Sequence, residues 1–328
     1  MSFFFRYAAP GAFALAAIAF SVGAQAFDLQ GHRGARGLAP ENTLPAFALA
    51  LSLGVDTLEL DTGVTRDGAV VVTHEPRLHP DTTRGPDGQW LAAPGPAIHE
   101  STYAEILRYD VGRLNPSTAY GKRYPEQQAV DGTRIPKLAE VFALAKRSGN
   151  AAVRFNIETK IDPRKPQETL PPEAFARAVI GEIRAAGVAS RSTLQSFDWR
   201  TLKVAQSEAP EIATVYLTAQ QKWLDNIGAA GAWTAGLRLE DHGSVPKMVK
   251  AAGGRIWSPY FGDLDAAKLA EARSLGLKVV VWTVNAPADI ARMMELGVDG
   301  IISDRPDLVR KEMSKRGLPL PVATPVSP

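Results

Sequence analysis

The sequence predicts an α/β protein, a (β/α)8 TIM barrel with a cap segment inserted after the second strand and its hairpin. Short β-type runs alternate with helix-type runs along most of the chain. Eight such strands fall within about 250 residues, which is the arithmetic of the barrel. One irregular stretch, residues 76–135, interrupts the alternation. An open doubly wound sheet would carry a dinucleotide or phosphate fingerprint at its first turn, and neither GxGxxG nor GxxxxGK[ST] occurs.

Taken in order, residues 27–32 read as a strand running into a glycine-rich turn. Residues 43–53 place Leu44, Phe47, Ala48 and Leu51 at helical spacing, with Asn42 or Thr43 able to cap the helix and Gly54 stopping it. The next strand covers 55–61. It continues into a hairpin about Asp67-Gly68 that brings His74 back opposite Leu60 or Asp61.

The stretch 76–135 is rich in Pro, Gly and Arg and holds one helix candidate, 103–109. Long insertions in such barrels usually lie over the active-site face. Later helices are expected at 138–147, 175–186 and 264–274. Later strands are expected at 152–158, 192–197, 212–217, 255–259, 278–284 and 300–303. Residues 235–240 (AGLRLE) have some β character and are read as an irregular connection.

The two ends read as non-barrel. Arg6, an apolar run over 11–22 and Ala24-Gln25-Ala26 make residues 1–26 a signal peptide, so the mature chain should begin at Phe27 in an exported, periplasmic setting. With no cysteine there is no disulfide and no lipid attachment point, and no stable membrane anchor is expected after cleavage. One domain should occupy 27–316, followed by a disordered Pro-rich tail, 317–328. Lys and Arg total 37 against 35 Asp and Glu, with no basic stripe, which argues against nucleic acid as a partner.

Glu59 and Asp61 are two apart and share one side of a strand near its C-terminal end, where barrels build active sites. A lone E-x-D is ordinarily a solvated strand face. Glu158 changes that reading, because it also ends a strand and is followed by Lys160 on the same side. Three carboxylates suit a hard cation such as Ca²⁺ or Mg²⁺. Zinc is disfavoured without cysteine or a histidine pair at helical spacing.

His32 and His74 fall at strand ends facing one mouth. Either alone would ordinarily be a hydrogen-bonded core histidine, but together they fit acid–base work near neutral pH. His79, His99 and His242 lie in connections and receive no role. Arg33 and Lys160 supply fixed positive charge for a phosphate gaining charge in its transition state. Gly31, Gly34 and Gly37 allow a tight turn whose N–H groups could face that phosphate.

HRG (32–34), PENT (40–43), ELD (59–61), VVTHE (71–75), NIETK (156–160), QSFD (195–198), VVVWTVN (279–285) and GVDGIISDRPD (297–307) occur in that order. This series resembles the glycerophosphodiester phosphodiesterase family of the phospholipase-C-like phosphodiesterase superfamily, over nearly the whole mature chain. The resemblance implies hydrolysis of glycerophosphodiesters to glycerol 3-phosphate and an alcohol. It implies a divalent cation on Glu59, Asp61 and Glu158, with His32 and His74 as the acid–base pair. Arg33 and Lys160 would hold the phosphate, Glu41 would support the site, and Trp282 would wall the glycerol pocket.

The family's usual His-Asp is His74-Glu75 here, and Phe197 reads as core. The nucleophile, water or a glycerol hydroxyl, stays open. Competing readings are a lysophospholipase D or cyclising phosphodiesterase on the same scaffold, and a non-catalytic periplasmic binding protein.

Overall fold

The computed structural model describes residues 1–4 and 27–328, so the expected signal peptide falls largely on residues 5–26, outside the described residues. The strands are β1 (Asp28–Gly31), β2 (Thr57–Val64), β3 (Val70–Val72), β4 (Arg154–Thr159), β5 (Ser192–Ser196), β6 (Ala213–Thr218), β7 (Gln220–Gln221), β8 (Leu224–Asp225), β9 (Ile256–Pro259), β10 (Lys278–Val281) and β11 (Gly300–Ser303). The main helices are α1 (Leu44–Leu53), α2 (Tyr103–Ile106), α3 (Leu138–Arg147), α4 (Pro172–Ala185) and α5 (Trp199–Glu208). After these come α6 (Leu239–His242), α7 (Val245–Ala251), α8 (Ala266–Ser274), α9 (Pro287–Leu296) and α10 (Pro306–Lys315).

Eight of these strands pair in parallel in the order β1-β2-β4-β5-β6-β9-β10-β11, and β11 returns to β1 to close the barrel. Strands buried on both faces read as near-continuous apolar runs, as in KVVV of β10 and GIIS of β11. The helices outside cover them. Phe142 of α3 meets Phe155 of β4 edge-to-face at 4.8 Å, and Trp199 of α5 meets Tyr216 of β6 at 4.9 Å. Thr43, not Asn42, caps α1, its hydroxyl accepting from Ala46 N–H at 3.3 Å, and Gly54 ends that helix at φ +86°.

The hairpin forms as its turn chemistry requires. β2 and β3 pair antiparallel with Thr62 opposite Val72, and Thr73 N–H bonds Asp61 C=O at 3.0 Å, which sets His74 just beyond the carboxylates. Residues 76–135 pack on the outer face of β3 through a second small core of Val71, Leu78, Ile98, Ile106 and Ile135. Arg84 pins this segment between Asp110 at 2.5 Å and Asp131 at 2.6 Å. Helix α2 ends at Ile106, short of the expected 109; tighter turns carry the chain on to Tyr109, whose N–H bonds Ile106 C=O, and Asp110 then exchanges backbone hydrogen bonds with Arg84. Residues 235–240 add no strand; Leu239 begins the single turn α6.

The expectation of a disordered tail over 317–328 is corrected. Thr324 N–H bonds Leu51 C=O at 2.8 Å, Arg310 Nη1 donates to Pro321 C=O at 2.7 Å, and Leu318 and Val326 pack on the barrel core. Prolines in this segment fix φ in advance, so ordering it costs less entropy than its composition suggests. Among the described residues no helix is long and apolar enough to cross a membrane.

Candidate active site

The acidic centre follows from strand register. β2 and β4 pair with Asp61 opposite Glu158, while Glu59 lies one side-chain step below Asp61 on the same face. Glu59, Asp61 and Glu158 are all buried, and one carboxylate oxygen from each lies within 4.8 Å of the others. The sequence-expected trio therefore converges.

Each carboxylate is held in place. Glu59 accepts from the Arg33 backbone N–H at 2.8 Å and from Gln195 Nε2 at 2.6 Å. Asn42 donates to Asp61 Oδ2 at 2.9 Å, and Lys160 Nζ sits 2.8 Å from Glu158 Oε1. Asp61 Oδ1 is buried with no hydrogen-bond partner. Lys160 Nζ stands 3.9 Å from it, beyond hydrogen-bond reach, and a buried charged oxygen without a hydrogen bond is costly.

Electrostatics agree with that geometry. Burial and the neighbouring Asp61 push Glu59 well above the ordinary carboxylate range. Burial raises Glu158 to about 7, with Lys160 opposing and Asp61 adding to the rise. Burial would raise Asp61 too, but Arg33, His74 and Lys160 hold it well below the ordinary range. The trio carries more negative charge than its surroundings neutralise, so an added cation would be stabilised there.

The histidines stand on either side. His32, just past β1, is buried, with Nδ1 2.6 Å from Asp304 Oδ1 and Nε2 3.9 Å from Glu59 Oε2. Burial and Arg36 lower it to about 4, despite Asp304. His74 Nδ1 lies 2.6 Å from Glu75 Oε1, so the longer acidic side chain still makes the supporting contact. Burial, Arg33 and Lys160 lower His74 as well, although its side chain keeps 27% of its exposure.

The glycine-rich turn departs from expectation in one respect. Gly34 lies at φ +86°, and a Cβ there would sit 2.7 Å from the Ala46 backbone, so only glycine fits. Arg33 itself is held at φ +49°. The N–H groups expected to face a phosphate are taken: that of Arg33 by the Glu59 carboxylate and that of Gly34 by Gly31 and Glu59 carbonyls. Arg33 presents its guanidinium instead, 2.5 Å from Glu41 and 3.1 Å from Asp61. Glu41 is thus an anchor for Arg33, and burial working on it is overcome by Arg33 and Arg36, which keep it low.

Above the trio opens a cleft of about 870 Å³ lined by His32, Arg33, His74 and Lys160 on one side. Trp282 lines the other side, as expected. Phe197 does too, which corrects its assignment to the core: its ring meets Trp282 edge-to-face at 5.1 Å and lies 5.7 Å from Lys160 Nζ. QSFD places it one residue past β5, at the mouth rather than in the barrel wall. Tyr260 and the exposed Trp223 extend this aromatic wall, at 5.7 and 6.0 Å from Trp282. His79, His99 and His242 stay outside this cleft.

Several site residues carried no assignment from sequence. Asp304 follows β11 and orients His32; it also takes a two-point bond from Arg36 at 2.8 and 3.0 Å. Gln195 ends β5 beneath Glu59. Both sit at strand C-terminal ends inside the quoted motifs, a signal that could have found them. Tyr120, which donates to Glu41 Oε2, comes from the irregular insertion and had none.

The chain matches the glycerophosphoryl diester phosphodiesterase family over residues 32–308. It is 29% identical over 284 residues to a glycerophosphodiester phosphodiesterase of Caldanaerobacter subterraneus subsp. tengcongensis, covering 85% of this chain and 96% of that one. A crystal structure from Silicibacter pomeroyi DSS-3, provisionally named for the same activity, is 38% identical with a TM-score of 0.80, covering 90% and 95% of the two chains.

A phosphodiesterase of Oleispira antarctica, solved with its product sn-glycerol-3-phosphate, shares the fold at 22% identity and TM-score 0.62, covering 88% and 96%. The family match spans the barrel from His32 past Asp304 and so includes every residue of the acidic centre and both flanking histidines. This chain belongs to the glycerophosphoryl diester phosphodiesterase family, and it is an enzyme of that reaction class.

Proposed function

We propose that this enzyme hydrolyses glycerophosphodiesters to glycerol 3-phosphate and an alcohol, using a divalent cation, Ca²⁺ or Mg²⁺, on Glu59, Asp61 and Glu158. The observation that carries the proposal is the convergence of three buried carboxylates, one oxygen of each within 4.8 Å of the others, with a histidine on either side. The product bound by the Oleispira antarctica relative supports the choice of product here. When bound, the cation supplies a Lewis acid for a phosphoryl oxygen.

This chain's own residues do the rest. Arg33 and Lys160 bind the diester's negative charge and stabilise its growth as a nucleophile adds. Asp304 holds a proton on His32 Nδ1, leaving the Nε2 lone pair toward the cleft to take the nucleophile's proton. Glu75 accepts from His74 Nδ1–H, and a doubly protonated His74 donates its Nε2 proton to the departing alkoxide and is left neutral. Trp282 and Phe197 pack on the carbon face of the glycerol unit.

The test is turnover of glycerophosphocholine, glycerophosphoethanolamine and glycerophosphoglycerol with Ca²⁺ or Mg²⁺ added to chelator-treated enzyme. Absence of metal-dependent turnover on all three would sink the proposal. Following the reaction by ³¹P NMR separates the two nucleophiles, since attack by a glycerol hydroxyl passes through a cyclic phosphate.

The wall of Trp223, Tyr260 and Trp282 favours a second reading, a lysophospholipase D whose substrate lays an acyl chain on these rings. The apolar surface this needs comes from strand ends and the β7–β8 hairpin rather than from the insertion. A higher kcat/KM on lysophosphatidylcholine than on glycerophosphocholine would select it. We also infer export, checked by finding Phe27 at the N-terminus of protein recovered from the periplasm.

A further inference from the structure

The irregular insertion does more than cover the barrel. Its residues 120–128 strap across the loop that follows β1. Gln127 Nε2 donates to Arg36 C=O at 2.7 Å, and Gln128 N–H bonds Leu38 C=O at 2.8 Å. The Arg36 guanidinium lies 5.0 Å from the centre of the Tyr124 ring, and Glu126 pairs with Arg305 at 2.6 Å. At the head of this strap stands Tyr120, whose hydroxyl donates to Glu41 Oε2 and accepts from Arg36 Nη1 at 3.0 Å.

Two chains of contacts leave that hydroxyl. One runs through Glu41 to Arg33 at 2.5 Å and on to Asp61 at 3.1 Å. The other runs through Arg36, which grips both oxygens of Asp304, to His32 at 2.6 Å. His32 and Arg33 are adjacent in sequence but point to different partners, and the phenol is where their two supports meet. We infer that Tyr120 is a positioning residue for the reaction, fixing the Arg33 guanidinium and the His32 imidazole at once. The inference rests on the diesterase reading of the site.

The physical reason is the charge around that oxygen. Arg33, Arg36, Glu41 and Asp304 are largely buried charges, each with few alternative partners. Replacing the phenol by a phenyl ring leaves Arg36 Nη1 and Glu41 Oε2 facing each other's neighbours without the bridging O–H. Buried charged groups that lose a partner seek another. Glu41 has Arg33 within reach and Arg36 has Asp304, so both arms would shift. Sub-ångström shifts of a catalytic group lower kcat more than they lower substrate binding.

A hydroxyl with only a structural duty in the same insertion provides the contrast. Tyr103 OH donates to Ile135 C=O at 3.2 Å and to Glu140 at 3.1 Å, away from the cleft. The experiment compares Tyr120→Phe with Tyr103→Phe in the full enzyme by kcat, KM and melting temperature. The substrates are the three glycerophosphodiesters above, at saturating Ca²⁺ or Mg²⁺.

Tyr120→Phe should lower kcat by about tenfold, the lower end of what orienting partners of a site group contribute, with KM changed less than twofold. Tyr103→Phe should lower the melting temperature and keep kcat. Glu41→Gln leaves a single acceptor oxygen for Arg33 and Tyr120 to share and so weakens the same link from its other end, and adding Tyr120→Phe to it should cost much less than tenfold more.

Wild-type kcat in Tyr120→Phe, or equal kcat losses in both tyrosine variants, would overturn the inference while leaving the diesterase reading standing. Full additivity of Tyr120→Phe and Glu41→Gln would overturn it too. A wild-type enzyme inactive on all three diesters would instead remove the reading on which it rests.

Discussion

His32 and Asp304 are 272 positions apart in sequence, and His32 Nδ1 lies 2.6 Å from Asp304 Oδ1. The contact exists because the last barrel strand, β11, returns beside the first, with Gly31 level with Ser303. Asp304 is kept ionised against its burial by Arg36 and His32. It therefore decides which ring nitrogen of His32 carries the proton.

Asp304→Asn should keep the shape and lose the tautomer control. Turnover of a glycerophosphodiester is expected to fall about 10- to 100-fold, as for other partners that orient a site histidine. Steady-state rates at saturating metal check this, and an unchanged kcat would show that the contact only packs the barrel seam.

His32→Ala and His74→Ala should each lower kcat by about 10² to 10⁴, the range for removing a proton-transfer group. Far-ultraviolet circular dichroism should report an intact barrel in both. Full activity in either variant would take that histidine out of the reaction.

Removing the cation should abolish turnover, and adding Ca²⁺ or Mg²⁺ should restore it. Without metal, Glu158 rises to about 7 and Glu59 rises as well, so both hold protons in mildly acidic solution. A cation must displace them, so its affinity should increase as pH rises from 5 to 8. Calorimetry in buffers of different ionisation enthalpy should detect protons released at pH 6 and fewer at pH 8. Glu59→Gln should require more metal for half-maximal rate.

His32 also links folding to pH. Its folded value is about 4 against an ordinary 6.5, so between these the unfolded chain binds the extra proton. The stabilisation is present above about 6.5 and is lost as pH falls through 4. At 1.36 kcal/mol per unit this is at most about 3 kcal/mol. Chemical denaturation of the metal-free protein should show a flatter dependence in His32→Asn than in the wild type across that window.

Truncation after residue 316 should destabilise the barrel without touching the cleft. It removes the bonds from Thr324 to Leu51 and from Pro321 to Arg310, and it uncovers core beneath Leu318 and Val326. Two net hydrogen bonds and two partly buried apolar side chains sum to a loss of roughly 2–4 kcal/mol. An unchanged melting temperature would show that the tail contributes nothing.

Local spacing made much of this molecule legible. Residues 138–147 form a helix over the expected span, and the Asp-Gly turn set the hairpin register that delivers His74. The trio was legible for the same reason: residues two apart on a strand share a face, and strand ends in a barrel share a mouth. Phe197 was misread because one position past a strand end separates wall from mouth, and hydropathy does not register that step. The tail was misread because composition reports proline content but not the Arg310 guanidinium that meets its carbonyl.

Sequence by itself determined the strand–helix alternation and the barrel, which follow from periodicity within a few residues, and the ordered motifs at strand ends singled out the three carboxylates and the two histidines. Tertiary structure alone decided which groups orient them: Asp304 for His32, Gln195 for Glu59, Asn42 for Asp61, and Tyr120 for the loop between them. These are lateral contacts between segments remote in the chain. Their distances are set by closure of the barrel and by where the insertion lands, which no local repeat encodes.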